Sequence, residues 1–181
     1  EGIERIFDEN REKYGTVFRA RTLRDKGRNA PEKKYGADFC GVLDIDLKNF
    51  KQSKGFLSQA KREDKGIFIE KKEYPTVVSF SHDSRFKKLN KQVSKMLEIT
   101  PDSFVFVYSP KGFVVVPASS IKKLKAKGKL YGKPVSLFFK EYLMCFIGDH
   151  GLKAHDDNTL ESLRKKTNAR TAIMFNIYER K

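Results

Sequence analysis

Asp38, Gln59 and Lys61 have the side-chain types that phosphodiester hydrolysis requires. Asp38 opens an alternating apolar segment, and Gln59 and Lys61 close the segment that would return beside it as a hairpin. A hairpin brings the ends of its two strands together, so the three side chains can converge at one sheet edge. A carboxylate and an amide oxygen can hold a hard cation such as Mg²⁺, and a neighbouring ammonium can orient or deprotonate a water.

Each of these residues alone has a simpler structural explanation. Asp38 could be a turn residue before a strand, and Gln59 and Lys61 could form the solvated face of an edge hairpin. Because all three occur together, on faces that can meet, we favour a metal-dependent site over that explanation.

The hairpin that positions these residues is predicted from apolar residues that recur at every second position. The pattern predicts a strand from Asp38 to Leu47, a turn over 48–53 and a return strand from Lys54 to Lys61. Gln59 and Lys61 then share one face of the return strand.

The remaining segments alternate between helical and extended patterns. They are a helix over 3–23, a loop over 24–34, a strand over 76–80, a helix over 86–97, a hairpin over 103–108 and 113–116, a buried helix over 136–147, a helix opened by an Asn158–Glu161 capping box, and a strand over 171–178. This order predicts a single mixed α/β (α+β) domain over residues 1–181, with helices around a central sheet.

Two short motifs resemble those of a known nuclease superfamily. Gly36-Ala37-Asp38 lies on the first predicted strand, and Gln59-Ala60-Lys61-Arg62 lies on the second. Together they resemble the restriction endonuclease-like, or PD-(D/E)XK, superfamily, in the variant that carries Gln-x-Lys instead of Glu-x-Lys. The segments 92–96, 108–112 and 145–149 extend the resemblance weakly. It implies a restriction endonuclease-like fold, a mixed central sheet flanked by helices.

The resemblance also implies a role for each motif residue. Asp38 corresponds to the metal-binding acid, Gln59 to the metal ligand that is usually Glu, and Lys61 to the catalytic lysine. Mg²⁺ is the implied cofactor, and Mn²⁺ is expected to substitute for it. The neutral Gln59 lowers the charge of the site by one and should weaken metal affinity, which leaves room for a binding-only domain.

Many members of the superfamily add an acid from the first helix. Glu9 is the best match as a catalytic metal ligand, with Glu4 and Glu12 as alternatives. Glu32, just before the Gly-Ala-Asp motif, is a further candidate.

The charge balance points to an anionic partner. Lys and Arg number 38 against 23 Asp and Glu, a net charge of +15, which is typical of nucleic-acid-binding domains. The basic residues expected to contact double-stranded DNA are Arg19, Arg21, Arg24, Lys26, Arg28, Arg62, Lys122, Lys123 and Lys125. Such runs can also be ordinary solvated surface.

Several other functions are disfavoured. No apolar run is long enough to span a bilayer, and the absence of a signal-peptide pattern together with only two cysteines favours the cytoplasm. His82 is expected in a turn, and the spacing of Cys145, His150 and His155 matches no common zinc site. No Walker-type phosphate loop is present.

These observations predict a Mg²⁺-dependent DNA endonuclease. From the resemblance alone, we expect the cutting module of a bacterial defence system, excised from a longer protein and acting as an oligomer or with regulatory subunits. The first alternative is a non-catalytic nucleic-acid-binding domain that retains the fold. Further alternatives are an RNA-directed module and an interaction scaffold unrelated to nucleic acid.

Overall fold

The computed structural model describes residues 12–13, 16–24, 37–64, 66–71, 76–81, 83–110, 112–124 and 127–179. These residues form a mixed α/β protein with a large mixed sheet and four helices, which confirms the predicted class. The elements are β1 (Glu12–Lys13), β2 (Thr16–Arg24), β3 (Ala37–Leu47), β4 (Phe50–Arg62), β5 (Ile67–Lys71), β6 (Thr76–Phe80), α1 (Ser84–Leu97), β7 (Ser103–Ser109), β8 (Gly112–Pro117), α2 (Ala118–Lys123), β9 (Gly128–Pro134), α3 (Val135–Leu143), α4 (Asp157–Lys166) and β10 (Ala169–Glu179).

Contacts between residues divide the chain into two compact units. The first unit comprises residues 1–35, 39–56 and 148–181, and the second comprises 36–38 and 57–147. Within the described residues, no helix is long and apolar enough to cross a membrane.

The first unit contains strands β1, β2 and β10 with most of β3 and the first half of β4. β2 pairs antiparallel with β10 along its whole length, from Thr16 opposite Glu179 to Arg24 opposite Thr171. The predicted helix over 3–23 is therefore wrong for residues 12–13 and 16–23, which are extended, and Arg24, predicted in a loop, also belongs to β2; residues 1–11, 14 and 15 lie outside the described part. The apolar spacing of this segment fits a helix, but pairing with β10 decides its conformation.

The N-cap of helix α4 lies two residues before the predicted one. Asp156 is the N-cap residue, and its carboxylate accepts a hydrogen bond from the Thr159 backbone N–H at 2.7 Å. The Thr159 hydroxyl accepts the Asp156 N–H in return. The predicted Asn158–Glu161 box is replaced by this pair because Glu161 instead bonds Arg164 on the same helix.

Strand β4 pairs in parallel with β7 in the second unit, and α1 crosses between them. β7 and β8 form the predicted hairpin, and β9, β6 and β5 follow in that order. The sequence prediction did not include α2, β9 or β5. The apolar face of α1, comprising Phe86, Leu89, Val93 and Met96, is buried as predicted.

Helix α3 differs from the predicted buried helix over 136–147. It ends at Leu143, and Cys145 follows with a φ of 64°, which no helical residue adopts. Phe138 and Tyr142 are buried, but Met144 and Phe146 are exposed by 56% and 73%. The segment is apolar all round, yet only one side of it packs against the sheet.

Candidate active site

Within the second unit, the structure brings Asp38, from the first motif, next to the strand that carries Gln59 and Lys61, from the second. Asp38 lies near the start of β3, and Gln59 and Lys61 lie near the end of β4. Oδ2 of Asp38 accepts a hydrogen bond from the Gln59 side-chain amide and another from the Ala60 backbone N–H at 2.8 Å. Asp38 is thus fixed against the strand that carries the other two residues.

Gln59 is the most buried member of the cluster. Its side chain is only 2% exposed, and its register partner on β7 is the buried Val105. While its amide nitrogen faces Asp38, its Oε1 has no hydrogen-bond partner among the described residues. A buried carbonyl oxygen without a partner costs about 1–3 kcal/mol, so this oxygen is suited to a ligand that supplies positive charge or a proton.

Lys61 is half-buried, and its environment changes its acidity. Burial lowers the pKa of its ammonium, which the nearby Asp38 carboxylate only partly reverses. Lys88 on α1 lowers the pKa further, because the two like charges repel. The neutral amine is therefore more accessible at Lys61 than at a surface lysine. Lys88 was missed by the sequence reasoning, since no motif marks it.

The acids proposed as further metal ligands cannot be located at this cluster. Glu4, Glu9 and Glu32 lie outside the described residues, and of Glu12 only the backbone in β1 is described. Within the described residues, no group of three or more His, Cys, Asp or Glu is arranged to hold a metal.

Two oxygen donors nevertheless fit a magnesium ion. Mg²⁺ is commonly held by one or two carboxylates while it keeps several waters and binds substrate phosphate. The Asp38 carboxylate and the partnerless Gln59 Oε1 would provide that small protein share. The buried, unsatisfied oxygen is the observation that supports the fit.

Three predicted DNA contacts lie on β2 in the first unit. The Arg19 guanidinium lies 5.6 Å from the ring centre of Tyr178, and Arg21 forms an ion pair with Asp157 at 2.8 Å. Arg24 is exposed. Lys26 and Arg28 lie outside the described residues. Of this group, Arg24 is therefore best suited to meet an external phosphate, since the charge of Arg21 is already compensated.

The second unit carries the other predicted contacts. Arg62 is exposed at the end of β4, and Lys122 and Lys123 are exposed on α2. Lys125 lies outside the described residues. Lys129, on β9, forms a surface ion pair with Glu70 at 2.6 Å, which partly compensates its charge.

The first unit contains a polar cluster that sequence reasoning missed. His155 Nδ1 lies 2.7 Å from Oδ1 of Asp44, whose Oδ2 accepts a hydrogen bond from Asn176 at 3.2 Å. The sequence indicated only a surface loop at His155. Asp44, one of three aspartates in β3 and the most buried of them, was the available signal.

Comparison with known proteins adds no identification. The chain matches no protein-family model, no curated protein and no solved structure.

Proposed function

We propose that this protein is a Mg²⁺-dependent nuclease that cleaves DNA at the cluster of Asp38, Gln59 and Lys61. The observation that carries the proposal is the buried Gln59 oxygen without a partner, beside a fixed carboxylate and a lysine with a lowered pKa. Perturbed titratable groups beside a candidate ligand site are typical of catalytic centres.

Asp38 and Gln59 would hold the cation. Bound there, Mg²⁺ would lower the pKa of a water and offset the charge that develops on the phosphate. The Ala60 N–H and the Gln59 amide orient the Asp38 carboxylate, so the side chain needs little rearrangement to present its second oxygen.

Lys61 would act as the general base. Its neutral amine can accept a proton at Nζ from the attacking water, and the resulting ammonium can stabilise the negative phosphate oxygens. Burial favours the neutral amine by lowering its pKa. The restriction endonuclease-like fold, a role in defence and an oligomeric assembly remain part of the proposal through the sequence resemblance alone.

Charge supports DNA as the substrate. The net charge of +15 provides sequence-independent affinity for phosphates. Arg24 in the first unit and Arg62, Lys122 and Lys123 in the second are exposed and suited to such contacts.

The test is cleavage of supercoiled plasmid with Mg²⁺ or Mn²⁺, compared with the same reaction in EDTA. We expect metal-dependent nicking that Lys61→Ala abolishes and that Lys91→Ala, which removes an exposed lysine on α1, preserves. Cleavage that survives Lys61→Ala would refute the assignment of this site.

A second candidate is a non-catalytic nucleic-acid-binding domain. The neutral Gln59, and the absence of a three-residue acidic or His/Cys metal group among the described residues, favour it. Such a domain would bind DNA equally well in Mg²⁺ and in EDTA, lose affinity as salt rises, and never nick the plasmid.

A further inference from the structure

Three side chains of the second unit form a row across neighbouring strands. Arg62 on β4 pairs in register with Tyr108 on β7, and Tyr108 pairs with Phe113 on β8. Residues paired in register point to the same face of a sheet. Arg62, Tyr108 and Phe113 are all exposed, the two aromatic residues by 37% and 52%.

Helix α3 packs on the preceding row of the same sheet face rather than on this one. Two positions back along β4, Ala60 pairs with Phe106, which pairs with Val115. That earlier row is covered by α3, whose Phe138 ring centre lies 5.2 Å from that of Phe106. The rings of Tyr108 and Phe113 have centres 6.0 Å apart and planes only 34° apart. They thus offer a nearly continuous aromatic surface.

A small cleft adjoins the row. It has a volume of about 220 Å³ and is lined by Phe113, Ile69, Val114 and Pro134, with Glu63 and Thr76 among its polar residues. Sites for drug-sized molecules usually measure about 300–1,000 Å³, so this cleft suits a single planar ring. The Glu63 carboxylate disfavours a phosphate there, whereas it can accept hydrogen bonds from the exocyclic amino group of a base.

We propose that the row formed by Arg62, Tyr108 and Phe113, with the adjoining cleft, binds unpaired nucleotides. Bases stack on Tyr108 and Phe113 while the Arg62 guanidinium meets the phosphate backbone, as in single-strand-binding surfaces that combine aromatic and basic residues. The inference rests on the proposed function only in taking nucleic acid as the ligand, and it narrows that ligand to single-stranded or locally unpaired segments.

Charge favours this occupant over a second copy of the chain. Each copy carries +15, so two copies repel each other, whereas a polyanion is attracted. The row is also one residue beyond Lys61 along β4, on the opposite face of that strand. A strand stacked on the row therefore lies on the face of the sheet opposite to the candidate active site.

The test is the affinity of fluorescently labelled oligodeoxycytidylate, oligocytidylate and a DNA duplex of equal length, measured in EDTA at one salt concentration; cytosine carries the exocyclic amino group that Glu63 would accept. We expect both single strands to bind more tightly than the duplex, and Tyr108→Ala and Phe113→Ala each to weaken single-strand binding by about fivefold or more. Tyr131→Ala is the matched control, because Tyr131 is exposed by 72% on β9 and lies outside the row. The difference in affinity between the DNA strand and the RNA strand shows which of the two is the preferred source of the unpaired nucleotides.

A tryptophan probe keeps the test decisive if an alanine variant folds poorly. The chain has no tryptophan, so Phe113→Trp creates a single reporter, and a base stacked on it quenches its fluorescence. Equal affinity for single strands and duplex, or no quenching by a bound oligonucleotide, would overturn the inference. The inference would also be overturned if Phe113→Ala abolished self-association of the protein and left its affinity for the oligonucleotides unchanged.

Because binding is measured without divalent metal, this result is independent of cleavage. Single-strand binding without plasmid nicking would leave the inference intact and refute the nuclease. Plasmid nicking without any contribution of the aromatic row to single-strand binding would support the nuclease and overturn the inference.

Discussion

Oδ2 of Asp38 accepts the side-chain amide of Gln59, joining residues from two different strands of the second unit. A Glu in place of Gln59 would set two carboxylates against each other here and would require a cation to hold them together. With Gln59, the Asp38 carboxylate already has hydrogen-bond donors in the absence of a metal. The atom without a hydrogen-bond partner among the described residues is Oε1 of Gln59. The proposed site therefore needs no cation to hold Asp38 and Gln59 together, and one of its atoms would gain from a ligand.

The first prediction concerns the charge of this pair. Gln59→Glu should lower the melting temperature in EDTA, because a second buried carboxylate would face Asp38. Mg²⁺ should restore the lost stability, and the metal concentration for half-maximal nicking should fall. Differential scanning fluorimetry with and without metal measures the first effect. As a control, Gln59→Leu should gain nothing from Mg²⁺; equal gains in both variants would place the metal elsewhere.

The second prediction concerns the pH dependence of cleavage. Lys88 lowers the pKa of Lys61, so Lys88→Gln should raise it. Since the neutral amine of Lys61 is the proposed base, the rising limb of the pH–rate profile should move to higher pH, and nicking at neutral pH should slow. Lys91→Gln, on the same helix, should leave the profile in place. If Lys61 acted only as the ammonium, the profile would instead have a falling limb, which Lys88→Gln would move to higher pH, and nicking at neutral pH would not slow.

The third prediction concerns the two cysteines. Burial raises the pKa of the Cys40 thiol to about 12, although the Thr167 hydroxyl opposes this. Cys145 is half-buried, and both thiols are free. Ellman's reagent at pH 8 should therefore react rapidly with Cys145 and with Cys40 only after unfolding. Cys145→Ser should abolish the rapid phase; a rapid phase that persists would show that the first unit opens around Cys40.

The fourth prediction concerns the packing of α3. Phe138 is fully buried, with its ring centre 4.9 Å from that of Phe104 and a stacked contact to Tyr142. Phe138→Ala should reduce the free energy of unfolding by roughly 3–5 kcal/mol in urea denaturation. Phe146→Ala, at an exposed position just beyond the helix, should change it by less than about 0.5 kcal/mol. Similar losses in both variants would contradict the described end of α3.

The hairpin and the approach of Asp38 to Gln59 were predictable because short-range rules determine them. Alternation over 38–47 predicts β3, and hairpin geometry then brings Asp38 to Gln59. The turn was predicted over 48–53 but comprises only Lys48 and Asn49, because β4 already begins at Phe50. The helix α1 was equally clear from its one-sided apolar spacing. These features depend on neighbours within a few tens of residues.

The features that sequence reasoning missed depend on distant partners. Residues 16–24 have a spacing compatible with a helix, and only β10 makes them a strand. Lys88 lowers the pKa of Lys61 because α1 packs beside the sheet. Arg21 on β2 forms an ion pair with Asp157 on α4, which compensates its charge. None of these pairs leaves a local pattern in the chain.

The pairing of β2 with β10 also affects how the protein is made. Thr16 to Arg24 leave the ribosome long before Thr171 to Glu179 exist, so the edge of β2 that pairs with β10 lacks its backbone partners through most of synthesis. An unpaired strand edge is a template for aggregation, and its arginines at 19, 21 and 24 help to keep it soluble meanwhile. Substitutions that remove these charges should therefore reduce the yield of folded protein in cells before they alter the stability of the finished molecule.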